Sequence, residues 1–187
     1  MKKNATAYIG IAIAGAMAAF SYLYLYPSTP DALTEQNARI YSSSQFGISF
    51  LYPRAYTLDE RDVGPTAPLH RVIAFRSQDA APTPVNGEGQ PGITFEFIEN
   101  EPVEMDAETF IRDKPASNWN IATSAMTPKI YDGISGIEYS WSGLYEGRSF
   151  VVARRGFIYV FSVTRFDPTD IGPVNFGRIM STLKLAE

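Results

Sequence analysis

The chain has 187 residues, 45% of them hydrophobic and 13% aromatic, which is too rich in core-forming side chains for a disordered protein. The formal charge is −4 and falls to −6 without Lys2 and Lys3, which argues against nucleic acid as a partner because phosphate binding needs a basic face. No cysteine is present, which excludes disulfides, thiol catalysis and a zinc–thiolate site.

Residues 1–27 are predicted to form a transmembrane helix that acts as a signal-anchor. Lys2 and Lys3 precede an uncharged run that continues to Pro30. A helix of about 20 apolar residues is long enough to cross a bilayer, and residues 5–26 supply that span. Basic residues hold their side of a first helix in the cytoplasm, so the chain is predicted to be single-pass, with its C-terminal domain outside the cell membrane.

A cleaved secretory signal is the alternative for the same segment. A basic start, an apolar core and an A-x-A site are the marks of such a signal, and Ala16-Met17-Ala18 offers the site. The run that follows, from Ala19 to Tyr26, stays apolar and would make an awkward mature terminus. The sequence therefore favours the uncleaved anchor.

Residues 28–39 are polar and are interpreted as a stalk, and residues 40–187 as one globular domain. In that domain, apolar and polar residues alternate with period two in several short runs, which is typical of an antiparallel sheet with one buried face. Arg155-Gly156 is interpreted as a tight hairpin between the last two runs. The predicted strands cover residues 48–52, 71–76, 93–97, 137–141, 150–154 and 157–163.

Two helices are predicted to pack on this sheet. Asp106 suits the N-cap of a helix over residues 107–114, and Met105 and Phe110 occupy the positions of a hydrophobic staple around it. The second helix begins near Pro173. Its apolar stripe consists of Phe176, Ile179, Met180 and Leu183. The predicted fold class is α+β, an antiparallel β-sheet flanked by helices.

Residues 77–91 are predicted to form a long loop in a chain whose other connections are short. This segment is rich in Pro, Gly, Asp and Asn and has no apolar period. Structureless loops longer than about 12–15 residues are uncommon and are either functional or disordered. We interpret the segment as a partner-contact loop whose candidate contact residues are Asp79, Asn86, Glu88 and Gln90. Simple disorder is the alternative.

Three motifs resemble the PsbP-like domain family. Phe46-Gly-Ile-Ser-Phe-Leu-Tyr-Pro53, followed by Tyr56, is similar to the family's opening strand. Gly133-Ile-Ser-Gly-Ile-Glu-Tyr139 is similar to its middle strand, and residues 176–185 to its closing helix and strand. The resemblance covers about residues 40–185. It implies an α–β–α sandwich and an accessory or binding role, as in the extrinsic subunit of photosystem II, and it implies no catalytic residues.

No catalytic, cofactor-binding or metal-binding residue is predicted. His70 is the single histidine, and the sequence holds no G-x-S-x-G elbow to accompany it. The acidic run from Glu96 to Glu108 lacks the short alternating spacing and the glycine of a calcium loop. Glu138 is interpreted as part of a solvated sheet face, with a polar binding patch as the alternative.

Two classes of function stay open at this point. The favoured one is a non-enzymatic, membrane-anchored envelope module that binds a protein partner of unknown identity or a cell-wall component. The alternative is a small-ligand receptor or a hydrolase that uses a cleft near His70 and carboxylates.

Overall fold

The computed structural model describes residues 32–64, 68–78, 92–100 and 104–186. Leu33–Glu187 forms one compact unit. The predicted span at residues 1–27 lies outside the described residues. Within the part of the chain that is described, no helix is long and apolar enough to cross a bilayer.

The described chain folds into two antiparallel sheets and two α-helices. The small sheet has the strand order β1-β2-β10, and the large sheet has seven strands in the order β3-β4-β5-β9-β8-β7-β6. The strands are β1 (Ala38–Ser43), β2 (Ile48–Pro53), β3 (Tyr56–Asp62), β4 (His70–Ser77), β5 (Ile93–Glu99), β6 (Thr127–Tyr131), β7 (Ile134–Ser142), β8 (Glu146–Arg154), β9 (Phe157–Arg165) and β10 (Lys184–Leu185). The helices are α1 (Ala107–Asp113) and α2 (Gly172–Met180), and two 3-10 turns, Pro115–Ser117 and Trp119–Ile121, follow α1.

The large sheet separates two apolar cores. One face, which we call the aromatic face, packs against the small sheet and α2. Phe95 lies at its centre, with its ring 5.0 Å from that of Phe50 on β2 and 4.7 Å from that of Phe161 on β9. The opposite face, which we call the α1 face, packs against Phe110 and Ile111 of α1. Alternate residues of the same strands therefore supply both cores.

Most of the predicted elements are confirmed. All six predicted strands form, and the hairpin at Arg155 and Gly156 has φ angles of 54° and 71°, as a type I′ turn requires. Asp106 caps α1 by accepting a hydrogen bond from the Thr109 N–H at 2.8 Å. The predicted stripe is fully buried at Phe176, Ile179 and Met180 of α2, and Leu183 is fully buried as well but lies beyond the end of the helix, before β10.

The α–β–α sandwich needs one correction. The predicted opening strand, β2, does not join the central sheet but pairs with β1 and β10 in a sheet of its own. This sheet and α2 cover the aromatic face together. Leu33 and Ala38, which fall in the segment interpreted as a stalk, are buried in the same core. Alternation identifies a strand but carries no information about which sheet it joins.

Candidate functional site

An open groove lies on the α1 face between α1 and the edge of the large sheet. Its volume is about 430 Å³. It is bounded by α1, by the segment that follows the 3-10 turns, and by β6 and β7. The lining residues are Glu108, Arg112, Trp119, Ala125, Met126, Thr127, Pro128 and Ile137.

One rim of the groove is the exposed side of α1. Phe110 and Ile111 are buried, so Glu108 and Arg112, four residues apart, are presented away from the core. Arg112 donates to one carboxylate oxygen of Glu108 from Nε at 3.1 Å and from Nη2 at 2.8 Å. Its guanidinium also lies 5.9 Å from the ring centre of Trp119. The rim is thus polar but internally charge-paired.

Buried hydrogen bonds hold the floor of the groove. The Ser117 hydroxyl lies 2.7 Å from the carbonyl oxygens of both Ile111 and Lys114 and accepts from the Trp119 N–H at 3.2 Å. The Tyr139 hydroxyl donates to the Ser117 carbonyl. Trp119 then packs edge-on against Tyr139 at 5.5 Å. The indole ring therefore occupies a defined position beside the groove.

Burial of Tyr139 also changes the pKa of its hydroxyl. The side chain is almost completely removed from solvent. Burial raises the pKa of the Tyr139 hydroxyl to about 12, because the phenolate is poorly solvated there. The hydroxyl consequently stays a hydrogen-bond donor throughout the neutral range.

The other rim is β6, an edge strand of the large sheet. It is joined to β7 by Asp132 and Gly133, whose φ angles of 46° and 82° fit a two-residue turn. The Thr127 hydroxyl donates to the Glu138 carbonyl at 3.1 Å across the pair. Four of its five residues are exposed, so this rim is accessible along its length.

The groove brings together apolar, aromatic and charge-paired side chains. Its floor is apolar at Met126 and Ile137 and aromatic at Trp119, and its paired charges are at Glu108 and Arg112. Nucleophilic catalysis needs a nucleophile within hydrogen-bond reach of a base. Among the lining residues, the Thr127 hydroxyl donates to the Glu138 carbonyl and the Glu108 carboxylate accepts from Arg112. The arrangement suits the burial of an apolar group with a polar border.

His70 lies outside the groove, at the start of β4. Its Nε2 is 2.7 Å from Glu96 Oε2, and both side chains are about one-fifth exposed. Within the part of the chain that the structure describes, no serine or threonine hydroxyl is hydrogen-bonded to the imidazole. The histidine thus has a carboxylate partner but lacks the third member of a Ser–His–acid site there.

Four described carboxylates of the acidic run from Glu96 to Glu108 have separate partners. Glu96 contacts His70, Glu99 accepts from the Leu69 N–H at 2.9 Å, Asp106 caps α1 and Glu108 pairs with Arg112. Among the described residues, no three acidic or histidine side chains are grouped closely enough to hold a metal ion. The main-chain N–H of Thr109 also holds the pKa of Asp106 below its usual range.

Glu138 corrects an expectation. The sequence favours a solvated position, but the Glu138 side chain is only 15% exposed and lies over the aromatic face. It accepts a hydrogen bond from the Tyr131 hydroxyl at 2.7 Å and lies 3.6 Å from Arg148 Nε. Hydrogen bonding and a nearby cation are what a carboxylate needs in such a position. Glu138 is therefore part of the packed structure.

The predicted contact residues Asp79, Asn86, Glu88 and Gln90 lie outside the described residues. The groove, in turn, was missed at the sequence level. The signal that pointed to its outer rim is Asp132-Gly133, a strong hairpin dipeptide that predicts β6 before β7.

Comparisons with known proteins support the fold. No protein-family model matches the chain, and no curated protein matches it. The solution structure of cyanobacterial PsbP (CyanoP) from Synechocystis sp. PCC 6803 is similar, with a TM-score of 0.55 and 15% sequence identity over 85% of this chain and 98% of that one. A crystal structure from Bacteroides thetaiotaomicron VPI-5482 has a TM-score of 0.45 and 9% identity over 81% of this chain and 49% of that one.

The similarity to CyanoP extends over nearly the whole of that protein, and at this identity it concerns the fold alone. It agrees with the resemblance read from the opening strand, the middle strand and the closing helix. The described domain of this chain has a PsbP-like fold.

Proposed function

We propose that this chain is a membrane-anchored accessory protein whose extracytoplasmic domain binds a protein partner in the groove beside α1. The observation that carries the proposal is the groove itself. It combines an apolar floor, a charge-paired rim at Glu108 and Arg112, and an exposed edge strand. Protein interfaces have this anatomy, with an apolar centre surrounded by a polar border.

The edge strand suits an extended segment of a partner. In a two-residue hairpin the flanking pair, here Tyr131 and Ile134, is hydrogen-bonded, and the pairing then alternates along the strand. The main-chain groups of Ile130 consequently point away from β7, where a partner strand can reach them. Pro128 occupies the other outward position and has no N–H to offer. Any added strand is therefore short and depends on the groove for a side-chain anchor.

Lys2, Lys3 and the uncharged run that follows them support the membrane anchor in this proposal. The PsbP-like fold supports the accessory role, because the resemblance implies binding and accessory proteins. The acidic composition of the domain is consistent with a protein partner and unfavourable for nucleic acid.

Site-specific photocrosslinking tests the contact. A photoreactive amino acid replaces Ala125, an exposed groove residue, in the full-length protein expressed in membranes. We expect a discrete crosslinked partner that mass spectrometry identifies. The matched control carries the same group at Ile40, which is 66% exposed on the small sheet. Equal capture from both positions contradicts the groove as the contact site.

A blocking variant gives the complementary test. Ala125→Glu introduces a charge at the mouth of the groove, and because Ala125 is exposed we expect stability to stay within about 0.5 kcal/mol. Affinity for the identified partner should fall, whereas Ile40→Glu should leave it unchanged. Replacement of residues 77–91 by a Gly-Ser turn tests the loop separately. A loss of binding in the Gly-Ser variant, without a loss in Ala125→Glu, assigns the contact to the loop.

The pair His70 and Glu96 favours a second candidate, a hydrolase or a small-ligand receptor. The 2.7 Å contact would orient the imidazole for proton transfer, provided that a nucleophile or a ligand approaches it. Purified protein is assayed with ester, amide and phosphoester substrates, and His70→Ala is compared with His70→Gln. Hydrolysis that both variants abolish would replace the binding-module proposal. Ligand-dependent thermal stabilisation without turnover would favour the receptor.

A further inference from the structure

Three large apolar side chains are exposed at one end of the domain. Leu144 is 74% exposed, Phe166 68% and Ile171 63%. Leu144 lies in the connection between β7 and β8, and the other two lie between β9 and α2. Leu144, Tyr145 and Phe166 border one shallow cleft of about 250 Å³, and the rings of Tyr145 and Phe166 are 5.8 Å apart. Grouped exposed apolar side chains mark a contact surface more than single ones do.

We call this part of the molecule the loop end, defined by residues 142–146 and 165–171. It lies at one end of the strands of the large sheet, because Glu146 of β8 is paired with Arg165 of β9 and the Thr164 N–H donates to the Gly92 carbonyl at 2.9 Å. The nine-residue strand β9 runs to this end from the opposite end of the strands, a distance of roughly 30 Å.

The first strand of the domain begins at this same end of the strands. Ala38, the first residue of β1, is paired with Pro53, the last residue of β2. Two residues later, the Ala55 carbonyl accepts from the Gln78 N–H at 2.8 Å, just after β4 ends. The Asn175 side chain near the start of α2 donates to the Tyr56 hydroxyl at 3.0 Å. These contacts show that the beginning of the domain lies at the same end of the strands as the loop end.

We infer that the loop end is a lipid-contacting surface that seats the domain on the bilayer interface. The inference rests on the membrane anchor proposed above. The chain that follows the proposed span joins the described domain at this same end of the strands, where Ala38 of β1 is paired with Pro53 of β2. Leucine, isoleucine and phenylalanine side chains favour burial at the boundary of headgroups and acyl chains.

The charges of the loop end are compatible with this position. Glu146 and Arg165 form an ion pair. The Asp170 carboxylate accepts from the N–H groups of Gly172 at 2.8 Å and Phe166 at 3.3 Å, and Asp167 accepts from the Thr169 N–H at 2.7 Å. These acidic groups are bound to the protein's own donors. Because acidic residues outnumber basic ones here, zwitterionic lipid is the appropriate probe surface.

The test uses single thiols in the full-length protein, which has no native cysteine. Leu144→Cys and Phe166→Cys are each labelled with an environment-sensitive fluorophore and reconstituted into phosphatidylcholine vesicles. Ile130→Cys is the matched control. Ile130 is 65% exposed, but it lies beside the Asp132–Gly133 turn, at the end of the strands opposite to the loop end. Flotation after alkaline extraction reports the anchor independently.

We expect the two loop-end probes to emit at shorter wavelength and to be quenched by spin-labelled acyl chains, while the probe at position 130 stays in water. Floating protein in which all three probes give the same aqueous emission overturns the lipid-contacting surface and leaves the anchor intact. Protein that does not float overturns the anchor and, with it, this inference. Aqueous loop-end probes combined with protein crosslinks from position 166 in cell membranes would make the loop end a protein contact instead.

Discussion

The two faces of the seven-stranded sheet are built from alternate residues of the same strands, yet they differ in chemistry. The aromatic face is covered by the small sheet and α2, and rings fill it, as at Phe75, Phe95 and Phe161. The α1 face is covered by a seven-residue helix and two 3-10 turns, and it retains buried polar contacts. In one of these, Trp141 Nε1 donates to Ser149 Oγ at 2.9 Å. The same Ser149 Oγ lies 2.8 Å from Ser162 Oγ.

This difference separates stability from recognition. Close-packed rings leave no space for a partner, and their burial removes apolar area from water, which stabilises the fold. A short helix leaves part of its face of the sheet uncovered, and the groove lies in that gap. The comparison therefore predicts that substitutions on the aromatic face mainly reduce stability, while exposed substitutions on the α1 face mainly alter binding.

The largest expected effect is on the aromatic face. Phe176→Ala removes a fully buried ring that lies 6.4 Å from Phe95. Loss of a buried phenylalanine typically costs about 3–5 kcal/mol, and we expect that decrease in the free energy of unfolding by urea titration. Val174→Ala on the same helix is the control, because Val174 is 43% exposed and should cost no more than about 0.5 kcal/mol. Equal stability of the two variants would contradict the assigned core.

A smaller loss is expected for the helix that covers the α1 face. Ile111→Ala removes a fully buried side chain of α1. Such truncations cost about 2–5 kcal/mol, and we expect about 2–3 because a short helix beside an open groove can shift to close the cavity. Urea titration measures the change. A loss as large as that of Phe176→Ala would show that the two faces contribute equally to stability.

The buried hydroxyl on the α1 face gives a third, smaller change. Tyr139→Phe leaves the Ser117 carbonyl without the hydroxyl donor, and a buried group that loses its partner costs about 1–3 kcal/mol. Tryptophan fluorescence should also change, because Trp119 packs on this ring. Unchanged stability together with unchanged fluorescence would mean that the hydrogen bond does not hold the floor of the groove.

The same variant has a pH signature. A tyrosine in the unfolded chain releases its proton near pH 10, whereas the raised pKa of Tyr139 in the folded state is about 12. Between these values the unfolded state binds fewer protons, so stability falls as pH rises, by about 1.4 kcal/mol per unit for each such group. Below pH 10 the contribution is complete. Tyr139→Phe should show a shallower decline above pH 10, and an identical slope would contradict the assignment.

The smallest effect is expected at the rim of the groove. Glu108→Gln breaks the ion pair with Arg112, whose two side chains are more than half exposed. Exposed pairs of this spacing contribute about 0.3–0.5 kcal/mol, and salt screens them. We expect a loss within that range at low salt that disappears at high salt. A loss above 1 kcal/mol would mean that the rim supports the fold as well as the groove.

Local patterns in the sequence predicted most of the strands and both α-helices, although alternation is typical of a sheet with one buried face and both faces of the large sheet are covered. Alternating apolar residues predicted the six strands, and Asp106 predicted where α1 begins. The edge strands β3 and β6 were missed, because four of the seven residues of β3 are charged and β6 contains Pro128. An edge strand buries little, and its sequence therefore carries little periodic signal.

By itself, the sequence determined the α+β class, the caps and turns, and the buried stripe of α2, because these depend on neighbours within a few residues. Only the tertiary structure decided that β2 leaves the large sheet, that His70 contacts Glu96 and that Glu138 lies over the aromatic face. The groove was decided there as well. Its lining includes Glu108 of α1 and Ile137 of β7, which are distant in the sequence. Their proximity depends on how separate elements pack, which no local pattern encodes.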